Sequence, residues 1–171
     1  MCYWTHNYQK IMLEQLLKLV EQNAKQPIIE NKALPDQFNN AAIKEVTNQI
    51  FNTLKGQATQ GNMQQVVSMF QASGRSSGTN PLVSAMMSSV TSSLTSKFGI
   101  AQDVAQSIAS NLVPTVVNQI IKKANDPRDI DFDVQQMMRS MTGNNSLDIS
   151  GMIGQAPKGG IGNVFGKLFG K

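Results

Sequence analysis

The sequence predicts an all-α fold: a compact bundle of about six or seven short helices with a helix-turn-helix-like core, followed by a Gly-rich C-terminal tail. Three observations predict it. Apolar residues recur at three- and four-residue spacing through most of the chain, which places them on single helical faces. Recognisable start and stop residues bound the runs, among them Asn80-Pro81 before one run and Gly99 after it. The clearest run, Asn80 to Asn125, is flanked by segments that read as helices packing onto it.

Residues 1–11, MCYWTHNYQKI, hold the chain's Cys, His, Trp and both Tyr, and none of these four types recurs from Met12 onward. The break suggests that Met12 is the original start and that residues 1–11 are an N-terminal extension. A metal-binding arm through Cys2 and His6 is the alternative, although two ligands fall short of the four that structural zinc usually takes. The helical domain is expected over 12–143, and a basic amphipathic tail over 144–171.

Met12 opens an amphipathic stripe of Leu13, Leu16, Leu17, Val20 and Ala24, ending before Pro27. Residues 27–37 read as a Pro-containing connector. A second helix is expected from Gln37 to Lys55, with Ile43, Val46, Ile50, Phe51 and Leu54 inward and Gly56 as its stop. Asn62 to Gln65 resembles a capping box, and Met63, Val66, Val67 and Phe70 form a short third helix. Residues 73–79, SGRSSGT, read as a linker.

In the central stretch, Leu82, Val83, Met86, Met87, Val90, Leu94 and Phe98 share one face, opposite Ser84, Ser88, Ser92, Thr95 and Ser96. Asn80 can cap the first turn, Pro81 suits the first helical position, and Gly99 with Ile100 forms a Schellman-type ending. Ala101, Val104, Ala105, Ile108 and Leu112 continue the pattern to Pro114, which removes a backbone donor and crowds the Ser110 carbonyl. Either a third helix starts at Pro114 or one long helix is kinked there. The three-helix form, with very short connections, is the one that makes the core helix-turn-helix-like. A last helix follows with Phe132, Val134, Met137, Met138 and Met141, closed by Gly143.

Hydrophobic residues make up 40% and charged residues 15%, while aromatics are only 6%, so aliphatic residues and the ten Met have to fill the core. No run of about 18 apolar residues occurs, so no membrane-spanning helix is expected. Neither a secretory leader nor an internal disulfide is indicated, and the expected location is cytoplasmic. The net charge of +4 is spread out: residues 1–99 hold eight Lys/Arg against five Asp/Glu, residues 100–150 four against six, and residues 151–171 three Lys and no acid.

Most reaction classes lack their usual groups. From Met12 on there is no His, Cys or Tyr, so acid–base work would fall to Asp, Glu or Lys and nucleophilic attack to Ser, Thr or Lys. The serines lie in polar runs without a neighbouring base in sequence. Gly159, Gly160 and Gly162 lack the strand that a dinucleotide fingerprint needs. Asp129, Asp131 and Asp133 alternate as in a calcium loop, but Val134 and Ser140 stand where its Gly and Glu belong, so helix capping by Asp133 fits better. The chain is read as no enzyme, with no cofactor, metal or small-molecule substrate. A deep pocket joining two of Glu14, Glu45, Asp103 and Asp131 would change that reading.

The segments MLEQLLKLVEQNAK from Met12, NMQQVVSMFQ from Asn62 and LTSKFGIAQDVAQSIASNLVPTVVNQIIKKA from Leu94 to Ala124 resemble a bacterial family, number 937 in the domain-of-unknown-function series, close to the YidB-like proteins. The resemblance covers most of residues 12–145 and implies an all-helical, homeodomain-like bacterial domain with no assigned activity. It supplies no functional residues.

The leading expectation for function is a non-catalytic interaction or scaffold module whose partner is another protein or a second copy. Nucleic-acid binding is the first alternative, with Thr115, Asn118, Gln119, Lys122 and Lys123 on the third helix of the core. Its weakness is charge: residues 80–125 carry three Lys against one Asp, too little for the phosphate attraction that dominates such affinity. The second alternative is membrane-surface association through the tail. There Ile161, Val164, Phe165, Leu168 and Phe169 share a face beside Lys167 and Lys171, and Gly162, Gly166 and Gly170 weaken the helix.

Overall fold

The computed structural model describes residues 2–71, 80–126, 128, 134–144 and 146–148. Among them the regular structure is all helical: α1 Cys2–Asn23, α2 Asn39–Thr59, α3 Met63–Gln71, α4 Pro81–Phe98, α5 Gln102–Ala124 and α6 Val134–Thr142. A π-type turn at Lys25–Ile29 and a 3-10 turn at Asp36–Phe38 join α1 to α2. One apolar core runs through all six helices. The all-α bundle is therefore as expected.

α4 forms as its sequence dictates. Asn80 Oδ1 accepts from Leu82 N–H at 2.9 Å, Pro81 opens the helix, and Gly99 closes it at φ 66° with its N–H on the Thr95 carbonyl. Ile100, just beyond, is buried. This tight stop turns the chain into α5, which packs along α4, while α2 covers the other side of α4.

The three-helix reading of residues 81–125 requires correction. α5 is one helix from Gln102 to Ala124 with Pro114 inside it. Pro in a helix interior costs about 3 kcal/mol. Leu112, Val113, Val116 and Val117 are all buried around it. Burying each such side chain contributes about 1.5–3 kcal/mol, so core packing outweighs the lost bond. The Ser110 carbonyl, left without its helical donor, belongs to an exposed residue that water reaches. The core is thus a hairpin of two long helices.

Gly56 is likewise no stop. α2 continues to Thr59, and the left-handed residue is Gly61, at φ 85°. Leu54 and Ala58 stay on the buried face, and the Gln60 N–H still closes onto the Gly56 carbonyl. Keeping that face paired outweighs the roughly 0.5–1 kcal/mol that a mid-helix Gly costs.

α1 passes through Met12 without a break, and Leu19 joins Leu16, Val20 and Ala24 in the core, with Leu13 and Leu17 half-buried. The connector contributes two fully buried plugs that its sequence did not advertise, Ile28 and Leu34. α6 buries Met137, Met138 and Met141 and ends at Gly143 with φ 70°, as expected. Phe132 and the acids Asp129, Asp131 and Asp133 lie outside the described residues.

Candidate functional site

α2 and α4 run antiparallel. Phe38 meets Phe98 at one end, ring centroids 5.6 Å apart, and Gln49 meets Ser93 farther along. Between these contacts lies Glu45, a buried acidic residue on the face of α2 that also carries Ala42 and Val46. A buried carboxylate needs partners, and Glu45 has three. Lys97 Nζ donates to Oε2 at 2.7 Å, and Gln49 Nε2 donates to Oε1 at 2.8 Å. The Ser93 hydroxyl also donates to Oε1, and Gln49 Nε2 approaches Ser93 Oγ at 3.3 Å. Burial pushes the Glu45 pKa up, but the hydrogen bonds from Lys97, Ser93 and Gln49, with the charge of Lys97, outweigh it and hold the group below its ordinary 4.5.

Above this cluster opens a groove of about 460 Å³ lined by Gln49, Ser88, Ser89, Ser92, Ser93 and Ser96. Every lining side chain is polar and uncharged. Ser88, Ser92 and Ser96 follow at four-residue spacing, one above another on the outer face of α4. Ser96 Oγ donates to the Ser92 carbonyl at 2.7 Å, a back-bond that leaves the oxygen free to accept from outside.

The cluster brings a hydroxyl, a carboxylate and an ammonium together, the set from which a hydrolase could be assembled. Its geometry suits structure better than reaction. A carboxylate held below its ordinary range is a poor base for a serine hydroxyl. Ser93 sits inside α4, where backbone N–H groups are engaged with carbonyls one turn earlier, so they cannot stabilise an oxyanion. The amide of Gln49 already serves Glu45 and Ser93, and the Lys97 ammonium serves Glu45. Of the other acids weighed from sequence, Glu14 and Asp103 are exposed on α1 and α5, and Asp131 lies outside the described residues.

The five residues proposed to meet nucleic acid lie along one side of α5, but only two of them are exposed. Thr115 and Lys122 are exposed, and they stand about 10 Å apart along the helix axis. Gln119 points to α1, where its amide exchanges two hydrogen bonds of 3.0 Å with Asn23. Asn118 is half-buried with its Oδ1 enclosed and unpaired, and Lys123 is half-buried. The physical cause is the central place of α5: Val116, Val117, Ile120 and Ile121 are all buried, so little circumference is left to read a groove.

The tail positions Ile161, Val164, Phe165, Lys167, Leu168, Phe169 and Lys171 lie outside the described residues, as do the side chains of Cys2 and His6. Among the described residues no three His, Cys, Asp or Glu gather as a metal site, and no helix is long and apolar enough to cross a membrane.

No protein-family model matches the chain, and neither a curated protein nor a solved structure is significantly similar to it.

The Glu45 cluster was only partly visible in sequence. In the sequence Glu45 is one acid among several, and Ser93 is one more serine of a polar run. The usable signal was the placement of Glu45 and Gln49 one turn apart, beside the apolar stripe of α2.

Proposed function

We propose that this chain is a non-catalytic helical interaction module of the bacterial, homeodomain-like kind it resembles, acting in the cytoplasm, and that it self-associates through the serine face of α4. The observation that carries this reading is the open, uncharged groove walled by Ser88, Ser92 and Ser96 over a fully partnered carboxylate. Small side chains let a second helix approach closely. Hydroxyls both donate and accept, so such a face complements a copy of itself without like-charge repulsion.

The test is sedimentation of the pure chain across a wide concentration range, beside Ser88→Arg and Ser92→Arg variants. Self-association that either arginine abolishes supports the reading. A monomer at every concentration, with no partner from the source cells lost by the same variants, overturns it.

The nucleic-acid alternative is supported less well: α5 carries only Lys122 and Lys123 as cations, and Gln119 is engaged with Asn23. A gel shift at low salt that weakens on Lys122→Glu would favour that alternative over the serine face.

A further inference from the structure

We propose that Met12 is an oxidation-sensitive site whose sulfoxide loosens the docking of α6 on the bundle. The inference rests on the seam between α1 and α6 and is independent of the groove on α4.

α6 packs on α1 and α2 through methionines: Met137, Met138 and Met141 are all buried. Its one buried polar side chain among the described residues is Ser140, 4% exposed, and both polar groups of that residue are bound by α1. Gln9 Nε2 donates to the Ser140 carbonyl at 2.7 Å. The Ser140 hydroxyl is shared between the Met137 carbonyl at 2.8 Å and Met12 Sδ at 3.3 Å. Met12 is half-buried at the rim of the core, so among the described methionines of this seam it is the one that solvent reaches.

A thioether reacts with a hydroperoxide by donating a sulfur lone pair to the peroxide oxygen. The O–O bond breaks, an S–O bond forms, sulfur loses two electrons, and hydrogen peroxide leaves as water after the proton shifts. At Met12 the product is a polar, chiral sulfoxide set into an apolar seam. An oxygen placed on the 3.3 Å line to Ser140 Oγ would come well inside the roughly 2.7 Å normal for O–H···O contacts. An oxygen on the opposite lone pair draws the side chain toward water. Either product spoils the present fit of Met12 against Ser140, and the buried methionines of α6 lose their cover.

The experiment treats the full chain with graded hydrogen peroxide, follows each methionine by peptide mass spectrometry, and measures amide exchange across residues 134–142. The expected result is Met12 sulfoxide forming ahead of Met137, Met138 and Met141, with α6 amides then exchanging about tenfold faster. Methionine sulfoxide reductase should reverse the change. Met12→Leu keeps apolar bulk and retains the half-exposed Met63 and Met87, so peroxide should leave its α6 exchange rate unchanged. Should Met12→Leu itself loosen α6 before treatment, reversal by the reductase in the natural chain decides. Met12 staying reduced while the buried methionines oxidise overturns the proposal. So does Met12 sulfoxide forming with α6 exchange unaltered, or an equal acceleration in Met12→Leu.

Discussion

Lys97 Nζ lies 2.7 Å from Glu45 Oε2, an ion pair in which the Glu45 side chain is 10% exposed and that of Lys97 56%. The asymmetry decides its energetics. Lys97 keeps much of its hydration, so the pair is weaker than a fully buried one, yet Glu45 depends on it. We expect Lys97→Met to destabilise the fold by about 1–2 kcal/mol, measured by urea unfolding. A cost below a few tenths would show that Ser93 and Gln49 alone suffice for Glu45.

The same carboxylate sets a pH dependence. Its folded pKa lies below the ordinary 4.5, so its contribution is fully present above that value and is lost as pH falls through the folded pKa. The stability difference between the natural chain and Glu45→Gln should therefore be constant near neutrality and shrink in acid below about pH 4.5. A difference that grows on acidification would mean that burial, not pairing, governs this group.

Asn23 and Gln119 tie α1 to α5 by two reciprocal amide bonds of 3.0 Å. Replacing either by Ala leaves the other half-buried and short of a partner, at a cost of about 1–2 kcal/mol. The double variant should cost clearly less than the two single ones combined, which a thermodynamic cycle from chemical denaturation would read.

Two glycines should respond in opposite directions to the same substitution. Gly99 holds φ 66°, so Gly99→Ala should cost about 1–2 kcal/mol. Gly56 is helical, and an added Cβ there meets nothing within 4 Å, so Gly56→Ala should stabilise by about 0.4–1 kcal/mol. Thermal unfolding of both variants checks the pair. Gly56→Ala lowering the midpoint would restore Gly56 as a helix stop.

Local patterning made much of this protein legible. The face of Leu82, Val83, Met86, Val90 and Leu94, the cap at Asn80, the stop at Gly99 and the buried run of Val116, Val117, Ile120 and Ile121 all stand where spacing and capping chemistry put them. Those signals act within one or two helical turns, so the order of residues alone determines them. Gly56 and Pro114 lie inside helices, not at boundaries, because a breaker acts locally, whereas the packing that overrides it comes from helices distant in the chain.

What only the tertiary structure decided is which polar groups meet. Glu45 reaches Ser93 and Lys97 across 48 and 52 positions, Asn23 reaches Gln119 across 96, and Ser140 reaches Met12 across 128. No periodicity encodes such pairs. A hydrophobic stripe says which side of a helix faces inward, but the neighbour it faces is chosen by the packing of the whole bundle. Composition and periodicity thus determined an all-helical chain with hydroxyl-rich faces, and packing alone placed one carboxylate, one amide pair and one thioether at its seams.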